Sequence, residues 1–362
     1  MPEIPKTMRA VVYRGVNDLR VETVPVPRIK SDELLVKVAA CGVCPTDIKK
    51  IRYGIVPPPR IFGHETAGTI VQVGARVKKF RVGDRVALHH HVPCLDCHAC
   101  RHRAFAQCAQ YKRTGITAAF EPAGGGYAEY VRVMSFVLPG VVKIPPRNSF
   151  LEGALLEPVN TVLKAIHRLS LQRGDFVLVI GQGPIGLMFT RLLALRAMKV
   201  VATDLLPARL ELARTFGACR VFQGAAQNFT EGINRLTQGR GLDAAIVTAQ
   251  SDAAVRQAQD FVRGGGQVLL FAHTRRGGRT ELDLATICAD EKDLIGSYSS
   301  DLTLQNEAAR LVFRRRLDAR QLITHRFPLE QIPEAIELAA RPSPESLKIV
   351  VTPDRSKGCH HG

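Results

Sequence analysis

Residues 176–186 read FVLVIGQGPIG: five apolar positions, Phe176 to Ile180, run without a polar break into Gly181, Gly183 and Gly186, and an amphipathic stretch follows. A strand apolar on both faces belongs inside a parallel sheet. The glycines after it make a G-x-G-x-x-G turn. Gly181 allows the tight turn, Gly183 lets backbone approach a pyrophosphate, and Gly186 lets the helix pack on the strand. Pro184 and Ile185 open that helix, whose N-terminus offers partial positive charge to phosphate. The motif is weak alone and gains weight from what comes next. The following apolar run ends at Asp204, eighteen residues after Gly186, where a carboxylate can accept hydrogen bonds from both adenosine ribose hydroxyls and repel a 2′-phosphate. That favours NAD over NADP, with Arg209 nearby keeping NADP in view.

Outward from this stretch the texture alternates. Short apolar runs at 176–180, 200–203, 244–248 and 267–271 are separated by amphipathic stretches such as 185–198 and 208–216. Alternation of this kind predicts a doubly wound parallel sheet over residues 159–298. Thr248 and His273 fall at the carboxyl edge of that sheet and join the cofactor candidates. Residues 1–158 read differently, rich in Val, Gly and Pro with alternating runs at 34–38 and 69–73, which predicts a β-rich domain. Helical stretches at 301–316 and 329–340 lead to a last apolar run, 348–352, expected to return to the first domain. With 362 residues, 46% of them hydrophobic, the chain has material for two cores. The expected division is therefore 1–158 together with 299–362 against 159–298.

Two constellations in the β-rich part carry metal chemistry. Cys94, Cys97, Cys100 and Cys108 stand at C-x2-C-x2-C-x7-C within a lobe at about 93–110. Four thiolates close a tetrahedral shell around Zn²⁺, a structural site. The second set is mixed: Cys44, His64 and a carboxylate from Glu65 or Glu157. One S, one N and one O ligand leave a position open, the catalytic arrangement, and a bound zinc there acidifies an alcohol. Thr46 is placed to take the alcohol's proton. Taken singly each residue has a plainer reading: Cys41-x2-Cys44 as a redox pair, Glu157 as an ion-pair partner, His64 as core packing.

In order along the chain, Cys44-x-Thr46-Asp47, Gly63-His64-Glu65, the four-cysteine lobe, Val82-Gly83-Asp84-Arg85-Val86, Gly125-Gly126-Tyr127-Ala128-Glu129-Tyr130, Glu157-Pro158 and the glycine turn at 181–186 resemble the zinc-dependent medium-chain dehydrogenases. Within that superfamily the chain is most similar to the sorbitol, threonine and polyol-phosphate dehydrogenase branch, over nearly its whole length. The resemblance implies a GroES-like catalytic domain beside a Rossmann coenzyme domain, and two zincs per chain. It implies a catalytic zinc on Cys44 and His64 with Glu65 or Glu157, and a structural zinc on Cys94, Cys97, Cys100 and Cys108. It further implies that Thr46 passes the substrate proton to the nicotinamide ribose. Relatives pair through an edge strand of the cofactor sheet, here 293–299, as dimers or tetramers. One departure stands out: many relatives carry a histidine five residues after the cysteine ligand, and this chain has Lys49. A protonated lysine cannot accept a proton, so the relay ends in water or Lys49 meets an anionic substrate group.

The net charge of +17 is diffuse. Residues 159–298 hold 17 Lys and Arg against 12 Asp and Glu, leaving +12 for the rest of the chain. Without aromatics interleaved among the basic residues, nucleic acid is not an expected partner. No apolar stretch reaches the ~20 residues of a membrane span. The N-terminal residues lack a secretory pattern, so a cytoplasmic protein with reduced cysteines is expected. His89, His90 and His91 are expected at a strand end and loop, Cys359, His360 and His361 in a tail, and Cys219 and Cys288 as buried small hydrophobes. The expected activity is zinc-dependent, NAD-linked oxidation of a secondary alcohol on a polyol, sugar alcohol, polyol phosphate or hydroxy amino acid. A carbonyl reductase of the same family and a non-catalytic nucleotide-sensing or nucleic-acid-binding protein on this fold are the alternatives.

Overall fold

A computed structural model describes residues 3–89, 92–114, 124–224, 228–272, 277–341 and 343–353. The chain divides into two compact units, Met1–Asn160 with Ser299–Gly362, and Thr161–Tyr298. The first unit opens with an antiparallel hairpin, β1 (Thr7–Gly15) and β2 (Asp18–Pro25). There follow β3 (Leu34–Gly42), β4 (Glu65–Val73), β5 (Arg85–Leu88), β6 (Tyr130–Val133) and β7 (Val142–Lys143). In β3 the side chains of Leu34, Val36 and Val38 are all buried, the inward set of a strand with period two. β3 pairs antiparallel with β4 and β6, β4 with β5, and β5 with β7. Ile70, Val86, Val131 and Phe62 belong to one core beneath these strands.

The second unit is a parallel sheet of β8 (Phe176–Ile180), β9 (Lys199–Asp204), β10 (Ala218–Gln223), β11 (Leu242–Val247), β12 (Val262–Leu270) and β13 (Asp293–Gly296), in the order β10-β9-β8-β11-β12-β13. β8 and β11 are buried at every position; β8 is wholly apolar, and the one charged residue of β11, Asp243, accepts from the Phe176 amide and from Arg263. The order reverses between β8 and β11, so the glycine turn after β8 lies at the switch point of a Rossmann sheet. The runs read at 200–203, 244–248 and 267–271 correspond to β9, β11 and β12. β10 went unread because ACRVFQ mixes exposed and buried positions at an edge.

After this unit the chain re-enters the first one through the helix Gln305–Phe313, adds β14 (Ile323–Pro328) to its sheet, and runs through the helix Ile332–Ala340 to β15 (Lys348–Thr352) beside it. β15 lies antiparallel to β3, with Val350 opposite Gly42 and Val351 opposite Cys41. Among the described residues no helix is long and apolar enough to cross a membrane. Cys219 and Cys288 are exposed, which corrects the expectation of burial: Cys219 stands on the edge strand β10, and the helix Leu284–Ala289 buries none of its residues. His90, His91, His273, Cys359, His360 and His361 lie outside the described residues. His89 follows β5 and is fully buried.

Arg132 on β6 makes a two-pronged ion pair with Glu33, Nε to Oε2 at 2.7 Å and Nη2 to Oε1 at 2.6 Å, both side chains almost wholly buried. Burial pushes the Glu33 carboxyl up, and the hydrogen bonds from Arg132 and from the Lys30 amide outweigh it, so its pKa lies below the ordinary value. Glu33→Ala leaves the guanidinium buried without its partner and is expected to cost about 3–5 kcal/mol in chemical denaturation at neutral pH. A depressed carboxylate contributes stability above its unfolded pKa and loses it as pH falls through the folded one. The gap between the two proteins should therefore close below pH ~4.

Candidate active site and metal centres

Gly42, the last residue of β3, lies opposite Glu65, the first of β4. That register brings the residues just past β3 beside those just before β4. Cys44 precedes the helix Pro45–Tyr53, and His64 precedes Glu65, so two ligands twenty residues apart meet. One ligand atom each from Cys44, His64 and Glu65 lies within 4.8 Å of the other two. Glu157, buried on the helix Leu156–Ile166, is not in that group. Thr46 is partly buried in the first turn of the helix Pro45–Tyr53, and Lys49 is half-buried on it. Burial pulls the Lys49 ammonium below its ordinary range, against the raising influence of Cys44.

Behind His64 stands Asp47, fully buried, with Oδ1 3.2 Å from Nδ1 of the imidazole. The Tyr127 hydroxyl donates to Asp47 Oδ2 at 3.3 Å. A carboxylate on one ring nitrogen fixes the tautomer and turns the other nitrogen toward a ligand. Burial disfavours the charged imidazole, but Asp47 and then Cys44 outweigh it and hold His64 well above 6.5. Glu65 also has a partner: Lys348 of β15 places its ammonium 2.6 Å from Oε1 and 2.5 Å from Oε2. Burial would strip the proton from Lys348, yet Glu65, helped by Cys44 and Glu157, keeps its pKa above the ordinary value. Asp47, Tyr127 and Lys348 escaped the sequence reading of the site. Asp47 sat inside a quoted motif, whereas no local pattern marked Lys348.

Cys41 is fully buried and its thiol, 3.4 Å from Thr66 Oγ1, is pushed up to about 12 by burial. A thiol so held is inert, which argues against the redox-pair alternative.

In the lobe, the ligand atoms of Cys94, Cys97, Cys100 and Cys108 also lie within 4.8 Å of one another. The sulfurs of Cys97 and Cys100 are 3.5 Å apart and those of Cys108 and Cys94 3.6 Å. Backbone amides serve them as well, Cys94 N to Cys108 Sγ and Cys97 N to Cys94 Sγ, both 3.4 Å. The amides of Asp96 and Cys97 lower Cys94 to about 6, whereas burial raises Cys100 to about 12. Four sulfurs fit a closed zinc shell; the S, N and O set around Cys44 fits an open one. Phe105 and Tyr111 pack against the buried Cys100 and Cys108.

In the second unit Gly181 takes φ of 92°, a left-handed conformation that favours glycine, and a Cβ on Gly186 would stand 1.8 Å from the Gly181 carbonyl oxygen. Gly183 caps the helix Pro184–Leu195, with Pro184 and Ile185 in its first turn. Thr248 donates to the carbonyls of Ile180 and Gly181, both at 2.9 Å, so its hydroxyl braces the turn from behind. Asp204 ends β9 and accepts from the Gln182 amide at 2.6 Å and the Leu206 amide at 2.9 Å. Arg209 is buried, with Nη1 3.9 Å from where a Cβ on Gly183 would stand.

A fold of this pair and these donor sets define a zinc-dependent dehydrogenase. Residues 30–146 match the alcohol dehydrogenase GroES-like domain, and residues 184–314 match the zinc-binding dehydrogenases. The chain is 33% identical over 358 residues to sorbitol dehydrogenase of Bacillus subtilis, a match covering 97% of this chain and 99% of that one. Among solved structures it is similar to galactitol-1-phosphate dehydrogenase from Escherichia coli, with TM-score 0.84 and 29% identity over 96% of this chain and 100% of that one. It is also similar to a chain from Sinorhizobium meliloti described as a zinc-binding dehydrogenase and bound to NADP, with TM-score 0.87 and 26% identity over 96% of this chain and 100% of that one. The chain belongs to the zinc-dependent medium-chain dehydrogenases of the alcohol dehydrogenase superfamily.

A proton and a metal compete for His64, and its pKa is raised. Apparent zinc affinity at the Cys44 site is therefore expected to climb steeply from pH 6 to pH 8. Competition titrations against a chelator of known affinity at the two pH values measure this. Equal affinities after correction for the chelator would show that the imidazole is not a ligand.

Proposed function

We propose that this chain is a zinc-dependent, NAD-linked polyol dehydrogenase that removes hydride from a secondary alcohol to give the ketone. The observation that carries the reading is the convergence of Cys44, His64 and Glu65 within 4.8 Å beside the helix that bears Thr46 and Lys49. Its sorbitol and galactitol-1-phosphate dehydrogenase relatives support a polyol or polyol phosphate as substrate. Cys44 and His64, with a carboxylate from Glu65 or Glu157, would hold the catalytic zinc. Cys94, Cys97, Cys100 and Cys108 would hold the structural one. The catalytic zinc supplies Lewis acidity that lowers the pKa of a bound alcohol.

The chain's own groups do the rest. Asp47 holds the His64 ring in register, so the ligand does not have to be oriented each time. Thr46 takes the substrate proton and passes it outward. At Lys49, burial lowers the ammonium from its ordinary range while Cys44 opposes that shift, and a lysine ammonium suits a phosphate better than a proton relay. In the second unit the amides at the start of the helix Pro184–Leu195 would receive the cofactor pyrophosphate, and Arg209 beside Gly183 adds positive charge there. Asp204 on the ribose would favour NAD. We assign the units at 1–158 with 299–362 and 159–298 to catalysis and cofactor binding. A homotetramer or dimer and a cytoplasmic location complete the reading.

The test is zinc content per chain together with NADH and NADPH formation on a panel of polyols, polyol phosphates and L-threonine. Two zincs and NAD-linked turnover are expected, with Cys44→Ser losing one zinc and more than about 10²-fold in kcat/KM. One zinc, kept in Cys44→Ser, with no turnover on the panel, would leave a nucleotide-binding protein. Lys49→Ala is expected to raise KM for a polyol phosphate about 10-fold more than for the neutral polyol. Unchanged KM and pH dependence on both substrates would dismiss any role for Lys49.

A further inference from the structure

Lys348 begins β15 and is almost wholly buried. Its ammonium donates to Glu65 Oε1 at 2.6 Å and to the Val43 carbonyl at 2.9 Å, and the ion pair with the same carboxylate brings it to 2.5 Å from Oε2. Val43 immediately precedes Cys44, and Glu65 immediately follows His64. One ammonium thus grips the residue before Cys44 and the residue after His64, the latter being the candidate carboxylate ligand itself. Gly42 supplies an independent observation. A Cβ on it would stand 1.8 Å from Glu65 Oε2 and 3.0 Å from Lys348 Cε, so the backbone is left bare where the ion pair lies.

We infer that Lys348 is a positioning residue of the metal site: by sharing the Glu65 carboxylate, it sets how strongly that carboxylate donates to the cation held by Cys44 and His64. The inference rests on the reading of Cys44, His64 and Glu65 as a metal site. A lone pair engaged by an ammonium is weakened as a metal donor, and a fixed positive charge against the carboxylate opposes a second cation in low dielectric. Both effects act in the same direction. Without Lys348 the Glu65 carboxylate would donate more strongly to a cation held with Cys44 and His64, which would then leave the site more slowly.

The experiment follows zinc release to a chromophoric chelator from the full-length holoprotein, in the native sequence, in Lys348→Met, in Glu65→Gln and in the double variant. Cys44→Ser identifies which zinc is being followed. Lys348→Met is expected to slow release of that zinc about 10- to 100-fold, the size of effect that outer partners of metal ligands have. In the Glu65→Gln background the same substitution is expected to change nothing, because the lysine acts through the carboxylate. With cobalt in place of zinc, the visible band of the Lys348→Met protein should move, which a lysine that only braces β15 would not cause. Release that is unchanged or faster, or an equal effect in both backgrounds, would overturn the inference. Should Lys348→Met not fold, Lys348→Gln keeps a donor to Val43 without the charge and carries the same expectations. If Cys44→Ser binds and releases the same zinc as the native chain, the metal-site reading itself fails, before Lys348 is in question.

Discussion

Negative charge buried at the junction of β3 and β4 is the constraint around which the first unit is arranged. Asp47 and Glu65 are 0% and 1% exposed; Glu65 lies near the sulfur of Cys44, and Asp47 lies against His64, which shares that group. At an effective dielectric of about 20, two like charges 4 Å apart repel by about 4 kcal/mol, a large share of a domain's net stability. Each acid therefore has to meet a cation or a donor inside the protein. Asp47 meets His64 and the Tyr127 hydroxyl; Glu65 meets Lys348. The bare Gly42 and the fully buried Tyr127 are the packing consequences of those pairings.

What was legible in the sequence was what depends on neighbours along the chain. The glycine turn could be read because the demands on Gly181 and Gly186 are backbone demands: a positive φ, and no room beside a carbonyl oxygen. The four-cysteine lobe could be read because its ligands stand within fifteen residues of one another. Cys44 and His64 were legible as one ligand set from their types and their place in quoted motifs, and the β3–β4 register supplies the physical reason that they meet. Lys348 was illegible. It reads as the polar start of an apolar run, and its partner is 283 positions away. Cys219 and Cys288 failed in the other direction, since burial of a small side chain depends on what packs over it, and nothing local specifies that.

The two halves of the proposed chemistry place opposite demands on charge. The cofactor turn gathers donors: the Gln182 and Leu206 amides already bind Asp204, and Arg209 stands beside Gly183. Asp204 is thus fixed by backbone before any ribose arrives, and a group so preorganised loses little freedom on binding. The metal side gathers acceptors and must neutralise them. A surplus of lysine and arginine in that half of the chain fits the proposed anionic substrate, and Lys348 and Lys49 differ in kind. Lys348 is almost wholly buried against the Glu65 carboxylate and the Val43 carbonyl, whereas Lys49 is half-buried near Cys44 on the helix that bears Thr46, the placement that the proposed role toward an anionic substrate needs.

The order of the chain gives the site one further property. Closing a separation of 283 residues costs little more than closing a short one, because loop entropy grows only as the logarithm of length, about 0.6 kcal/mol per doubling. The distance between Lys348 and Glu65 is therefore thermodynamically cheap. Kinetically it is not, since contacts so far apart in sequence form late. Until β15 pairs with β3, Glu65 has no counter-charge, and the pair of loops that carry Cys44 and His64 lacks the ammonium that ties Val43 to Glu65. Metal binding at this site is then coupled to completion of the whole first unit rather than to a local element, in contrast to the lobe, whose four sulfurs lie within one short segment. A zinc taken up by those four sulfurs could organise its lobe early, whereas the proposed site at Cys44 and His64 has to wait for β15.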